Sequence, residues 1–143
     1  MVTSKRLQPV QRVAKSREQT AARELGDSRR RSKEQEERLE ELRRYHREYL
    51  KKFHDAAKTG MSATQLQEYR AFLAKLEMAI REQENVVKLG HSECSERKEE
   101  WQQKHVRTQV LDKVVERHRK EERKAVDVRE QKESDDRSQR SVK

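Results

Sequence analysis

One stretch decides the fold: Thr59-Gly60-Met61-Ser62-Ala63-Thr64-Gln65-Leu66, the strongest break between two long charged segments. Gly60 suits the end of a helix, where the chain takes a positive φ without a Cβ penalty. Ser62 and Gln65 have the spacing of a capping box, and Met61 and Leu66 have that of a hydrophobic staple. A helix stop followed at once by a helix start predicts the tip of a helical hairpin.

The composition limits the kind of fold. The 143 residues, which we expect to form a single domain (1–143), are 30% hydrophobic and 44% charged, which is too polar for a thick core. Three glycines and one proline argue against a loop-rich or all-β domain. Disorder and long helices with one thin apolar seam remain, and the periodicity favours helices.

Two heptad repeats flank the tip. Positions spaced alternately by four and three run from Ala21 to Ala56, and again from Leu66 to His118 without a slip in frame. Seven of eleven are apolar in the first repeat and ten of sixteen in the second, which is typical of a coiled-coil seam. The expected core contains Leu39, Leu42, Tyr49, Phe53, Tyr69, Leu73, Ile80, Val87, Trp101 and Leu111.

An antiparallel pairing about Gly60 brings together residues whose numbers sum to about 122. The facing pairs then include Phe53 with Tyr69, Ser32 with Gly90, Ser28 with Cys94, and Glu18 with Lys104. Small residues face small residues, so the helices can approach closely there. We expect helix two to continue through Gly90; the alternative is a kink at that residue.

The predicted fold is all-α: a long two-helix antiparallel coiled-coil hairpin with a projecting C-terminal helix. Helix one is expected at about 8–58, because proline is tolerated in a first turn, and the tip at 59–62. Helix two is expected at about 63–134. Its last part has no partner in helix one, and we expect a flexible tail at 135–143.

The charge of the chain is uneven. The net charge is +9, and residues 1–31 hold nine basic and three acidic side chains. Such an arm could bind nucleic acid, anionic lipid or an acidic protein, and a solvated helix face is the plainer interpretation. A single cysteine, Cys94, excludes an intramolecular disulfide. Without a bilayer-spanning apolar run or a secretory signal, a cytosolic protein is expected.

The sequence argues against catalysis. It has no glycine-rich loop that could cradle a phosphate. His91 and Cys94 have helical ligand spacing, but two ligands do not make a zinc site. We therefore expect no catalytic residue, no metal, no cofactor and no small-molecule substrate.

An apolar strip lies beside the predicted seam. Tyr45, Phe72, Ala79 and Val86 occupy g positions, with Leu76 beneath them. The g rows of two antiparallel helices flank the same side, so this strip faces water unless something covers it. It is either a widened edge of the core or a partner-binding face, and we favour the second.

Four segments carry a family resemblance: YHREYLKKF (45–53), GMSATQLQEYRAFLAKLEMAI (60–80), Trp101 and REQKESDDRSQR (129–140). In this order they resemble the FliJ family of the bacterial flagellar export apparatus, over nearly the whole chain. The resemblance implies a non-enzymatic hairpin needed for flagellum assembly and motility. It also implies a cytoplasmic location, peripheral to the cell membrane at the flagellar base.

The resemblance further implies three partners: the flagellar export ATPase, the cytoplasmic domain of the membrane export gate protein, and export chaperones. The gate would bind a stripe whose matches here are Phe72, Leu76, Ala79 and Gln83. Some relatives have a histidine at the position of Gln83. Tyr45 is added to this site because it belongs to the apolar strip. The ATPase would meet the basic open end of the hairpin, through Arg6, Arg12, Arg23, Arg119 and Arg123.

Two rival interpretations remain from the residues alone. A basic coiled coil could bind nucleic acid, although Glu18, Glu24 and Asp27 interrupt the basic arm and we do not expect this partner. A structural or filament-forming coiled coil would dimerise, whereas the hairpin is expected to be a monomer when free.

Overall fold

Two long α-helices make up the structure. The computed structural model describes residues 3–141, with α1 at Ser4–Thr59, α2 at Ala63–Ser141 and no strand in that range. The helices pack against each other, which confirms the all-α prediction. Residues 1–2 and 142–143, part of the predicted domain and tail, lie outside the described residues.

The turn between the helices has the expected capping. Gly60 adopts a φ of 98°, which a residue with a Cβ rarely takes. The Gln65 amide donates to Ser62 Oγ, and the Ser62 amide donates to Gln65 Oε1, both at 3.2 Å. The Leu66 amide donates to the Ser62 carbonyl, which begins α2, and Met61 and Leu66 are both half-buried.

Helix α1 begins at Ser4, four residues before the expected start. The Arg6 amide donates to Thr3 Oγ1 at 3.4 Å, so Thr3 acts as the N-cap. The Ser4 amide and hydroxyl donate to the two carboxylate oxygens of Glu122, at 2.7 and 2.8 Å. These bonds satisfy free amides of the first turn, and Pro9 follows inside the helix.

The predicted seam matches the burial of side chains. Every predicted seam position from Ala21 to Ala56 and from Leu66 to His118 is buried or half-buried, including all ten expected core residues. Helix α2 is continuous through Gly90. The chain forms two compact units: a tip unit, Arg23–Glu99, and a terminal unit, Met1–Ala22 with Glu100–Lys143.

The tip unit confirms the expected facing of small residues. Ser28 Oγ donates to Cys94 Sγ at 3.1 Å, and Ser32 Oγ lies 3.7 Å from the position that a Cβ of Gly90 would occupy. Ser28 and Ser32 are both buried. Leu25 and Leu39 complete the buried row on α1.

The terminal unit has a smaller core. Ala14 and Ala21 of α1 are buried, as are Thr108 and Val115 of α2. Val115 is the most deeply buried large side chain among residues 3–141, at 2% exposure. The Glu18 carboxylate contacts His105, one residue beyond the expected Lys104.

Helix α2 also runs further than expected. It continues to Ser141, seven residues past the predicted end at 134, and every described residue after Glu122 is exposed. Gln131 donates to Asp135 at 3.3 Å, an i, i+4 contact that supports the helix without tertiary packing. Flexibility of the tail stays a prediction.

The three glycines give a matched test of this backbone. A Cβ at Gly90 would meet Ser32 at ordinary contact distance, and one at Gly26 would meet nothing within 4 Å. Gly90→Ala and Gly26→Ala should therefore each raise the free energy of unfolding by about 0.5–1 kcal/mol in urea titrations. Gly60→Ala should lower it by about 1 kcal/mol or more, because of its positive φ. Destabilisation by Gly90→Ala would contradict the observed helix separation.

Candidate functional site

An aromatic cluster joins the two helices of the tip unit. The ring of Tyr49 lies 4.3 Å from that of Phe72 and 5.3 Å from that of Tyr69, between centroids. Phe53 contacts Tyr69 at 5.6 Å, and Tyr45 meets Phe72 edge-on at 6.1 Å. Tilted and edge-to-face pairs contribute about 0.5–1.5 kcal/mol each beyond their burial. The ring contacts of the cluster therefore hold Tyr45 and Phe72 in position.

The apolar strip beside the seam is partly open. Tyr45 is 51% exposed and Val86 is 41% exposed. Phe72 and Ala79 are half-buried, and Leu76 is buried beneath them. Tyr45 of α1 therefore meets Phe72 of α2, and exposure distinguishes the open Tyr45 and Val86 from the buried Leu76.

Gln83 is buried, as Leu76 is. It is 8% exposed, and its Nε2 donates to the Gln35 carbonyl at 3.0 Å and to Gln35 Oε1 at 2.8 Å. These bonds hold the amide in the seam, where a partner on the surface does not reach it. The polar pair was visible in the sequence as two glutamines at seam positions, but nothing there showed that they would bond to each other.

A shallow groove runs along α1 beside the strip. Its lining consists of Arg38, Glu41, Leu42, Arg44, Tyr45 and Glu48. Leu42 and Tyr45 supply its apolar part, and charges of both signs surround them. Such an arrangement suits an apolar side chain of a partner with polar neighbours at the rim.

One histidine of the tip unit is incompletely satisfied. His46 Nε2 is buried and has no hydrogen-bond partner among the described residues. Glu77 Oε1 lies 3.6 Å from it, beyond hydrogen-bond distance. His46 lies in the seam directly after Tyr45, a member of the strip.

The five arginines expected at the open end are all exposed, but they do not form one patch. Arg6, Arg12, Arg119 and Arg123 belong to the terminal unit, and Arg23 belongs to the tip unit. In heptad terms Arg12, Arg119 and Arg123 lie on the flank of e and b positions, whereas Arg6 lies on the flank of g and c positions. We call these the e-side and g-side flanks.

The terminal unit carries most of the net positive charge. Its two sequence segments hold 18 Lys and Arg residues against 11 Asp and Glu residues, compared with 18 against 16 in the tip unit. Arg6, Arg12, Arg119 and Arg123 form no salt bridge among residues 3–141, and Arg119 acts on Glu122 through its charge alone. The unit is therefore the part of the chain best suited to an acidic surface.

A charged contact lies inside the seam of the terminal unit. His105 Nδ1 is 2.5 Å from Glu18 Oε1, and the His105 ring stacks on Trp101 at 5.0 Å. The hydrogen bond from His105 is the main reason that the pKa of Glu18 lies below its usual value. The Thr108 hydroxyl and the charge of His105 act in the same direction, against the opposing effects of burial and Asp112.

Residues 3–141 contain no cluster of three or more His, Cys, Asp or Glu side chains that could hold a metal ion. His91 and Cys94, which have helical ligand spacing, each have another partner: His91 contacts Glu36, and Cys94 accepts a hydrogen bond from Ser28. No helix in this range is long and apolar enough to cross a membrane.

The described residues form two packed helices, with a half-exposed apolar strip on the tip unit and an excess of basic residues in the terminal unit. The sequence matches the family model of the "Flagellar FliJ protein" over residues 3–143, essentially the whole chain. The chain therefore belongs to the FliJ family, a non-enzymatic flagellar component related to flagellar biogenesis and protein export. No curated protein and no solved structure matches it.

The seam contact of Glu18 makes stability depend on pH. Because the folded pKa of Glu18 lies below the usual 4.5, its contribution is present above pH 4.5 and is lost as the pH falls through the folded pKa. Glu18→Gln should lower the free energy of unfolding by about 1 kcal/mol at pH 7, and the difference should vanish in acid. Urea unfolding followed by the single tryptophan measures this.

The matched control is Glu116→Gln, which removes an exposed carboxylate from the same unit. Its effect should stay below about 0.5 kcal/mol and show no comparable loss on acidification. Equal pH profiles for the two variants would show that Glu18 gains nothing from His105.

Proposed function

We propose that this FliJ-family protein links the flagellar export ATPase ring to the cytoplasmic domain of the membrane export gate protein. The observation that carries the proposal is the half-exposed apolar strip of the tip unit. Membership of the family supplies the export apparatus as its setting. The basic terminal unit supports a second, separate contact.

The gate contact is proposed for the exposed edge of the strip. Tyr45 and Val86 keep large apolar areas in water, which costs free energy unless a partner covers them. Phe72 and Ala79 extend the same surface. Leu76 and Gln83 then act from beneath, by holding the two helices at the separation that presents the strip.

The ATPase contact is proposed for the terminal unit. Arg12, Arg119 and Arg123 lie on its e-side flank, and Arg6 can add to them from the g-side flank. Exposed arginines that form no internal salt bridge favour bidentate bonds to carboxylates of an acidic surface. Arg23, in the tip unit, is the least supported member of the expected set.

The remaining proposals follow from the family and from the end of α2. Every described residue after Glu122 is exposed, which supports a helix that projects past the start of α1, with a flexible tail. We propose that the protein assists export chaperones and is a monomer when free. Its proposed location is the cytoplasmic face of the cell membrane at the flagellar base.

The gate proposal is tested by introducing single charges on the g-side flank of the tip unit, with a control on its e-side flank. Tyr45→Asp and Val86→Asp should each weaken binding to the purified cytoplasmic domain of the gate by about tenfold or more, because a desolvated carboxylate would replace an apolar contact. Calorimetry measures the affinity, and swimming in soft agar measures motility. Circular dichroism should show unchanged helicity.

Leu50→Asp is the matched control, since Leu50 is also exposed but occupies an e position. It should bind the gate domain as tightly as the natural protein does. If Leu50→Asp lost as much affinity as Tyr45→Asp, the strip would have no special role.

The ATPase proposal is tested by charge reversal in the terminal unit. Arg119→Glu with Arg123→Glu should reduce binding to the purified export ATPase by about tenfold at low salt, and the difference should shrink as salt screens the charges. Arg137→Glu with Arg140→Glu makes the same charge change further along α2. This control should bind like the natural protein; an equal loss would indicate a response to net charge alone.

A further inference from the structure

The two flanks of the terminal unit differ in chemistry. On the e-side flank a groove is lined by Gln11, Arg12, Lys15, Glu18, His105, Thr108, Gln109 and Asp112, all of them polar. Its members also bond to one another: Gln11 Nε2 donates to Asp112 Oδ1 at 2.6 Å, and Glu18 contacts His105. These bonds give Gln11, Asp112, Glu18 and His105 polar partners on the e-side flank.

The g-side flank of the same unit is apolar instead. A groove there is lined by Pro9, Val10, Val13, Ala14, Arg17 and Arg107. Val10 is 44% exposed and Val13 is 50% exposed. On α2, Val106 and Val110 are 56% and 54% exposed, at f and c positions that adjoin Arg107 on this side.

Exposed valines at these positions do not stabilise the helices that contain them. Valine is β-branched and forms helices less well than the alanine, lysine or glutamate that usually occupy exposed helical positions. The seam does not use these side chains either, because about half of each remains in water. Their cost is offset only when another surface covers them.

Two arginines border this apolar surface. Arg17 and Arg107 line the same groove, and neither has a carboxylate partner among residues 3–141. Like charges held side by side destabilise a helix pair by a few tenths of a kcal/mol. An acidic partner that meets both would remove this repulsion and form charge-assisted hydrogen bonds.

We infer that the g-side flank of the terminal unit is a second protein-docking surface, and that its occupant is an acidic amphipathic helix of a partner protein. The apolar stripe of that helix would cover Val10, Val13 and Val110, and carboxylates beside the stripe would bond to Arg17 and Arg107. The groove follows α1 for roughly 12 Å between Pro9 and Arg17, which accommodates about two turns of a helix. These residues are distinct from those proposed for the gate and the ATPase.

A pair of synthetic helices tests the inference with the full-length protein. Both peptides have about 18 residues and a leucine stripe at i, i+3, i+4 and i+7, flanked by glutamates in one and by lysines in the other. Fluorescence anisotropy of the labelled peptides should show saturable binding of the glutamate peptide, at least about tenfold tighter than that of the lysine peptide. Equal affinities for the two peptides would overturn the inference.

Substitutions then locate the site. Val13→Ser with Val110→Ser should weaken binding of the glutamate peptide by about tenfold. Val126→Ser with Val128→Ser makes the same change at exposed valines of the same unit and should have no effect. Arg17→Glu with Arg107→Glu should reverse the preference, so that the lysine peptide binds more tightly, which loss of folding alone would not produce.

Three outcomes would overturn the assignment. Equal loss in both valine pairs would mean that the peptide binds elsewhere. The protein could bind vesicles of phosphatidylglycerol and show no saturable peptide binding. If Val13→Ser with Val110→Ser abolished that vesicle binding, the flank would be a lipid-binding surface. If sedimentation equilibrium showed a dimer and the same variant abolished it, the occupant would be a second copy of the protein.

Discussion

The structure depends on the register in which α1 and α2 meet. A turn of three residues, Gly60–Ser62, leaves that register little freedom, because the capping box of Ser62 starts α2 at once. Ser28 bonds to Cys94, and Ser32 approaches Gly90, so the backbones come close where the side chains are small. A slip of one position would bring charged flank residues into the seam, at a cost that such a thin core could not offset.

A thin seam also explains why apolar side chains remain exposed on the flanks. One row of side chains on each helix is all that two helices can bury against each other, so any apolar residue beyond that row stays partly in water. In the tip unit the extra residues are Tyr45, Phe72 and Val86, supported by the aromatic cluster around Tyr49. In the terminal unit they are valines bordered by arginines. The two apolar surfaces differ in kind: one is aromatic and the other is aliphatic and cationic.

Polar groups along the seam form bonds that depend on how the helices are paired. Gln35 with Gln83, Glu18 with His105, and Ser4 with Glu122 each use partners that only one alignment supplies. A misaligned pair would leave a half-buried amide or carboxylate without its protein partner, which costs free energy. Such contacts favour this alignment over its neighbours.

The sequence by itself determined the two helices, the turn, the seam and the small-residue pairs, because heptad spacing and capping are local and repeat along the chain. It also predicted the row from Tyr45 to Val86, since g positions follow from the same count. The tertiary structure decided what depends on a particular partner across the seam. Glu122 accepts from the Ser4 amide at the start of α1, His105 replaces Lys104 beside Glu18, and Gln83 bonds to Gln35 beneath the strip. Periodicity assigns a residue to a face, but the bond that it makes depends on side-chain length and on the partner within reach.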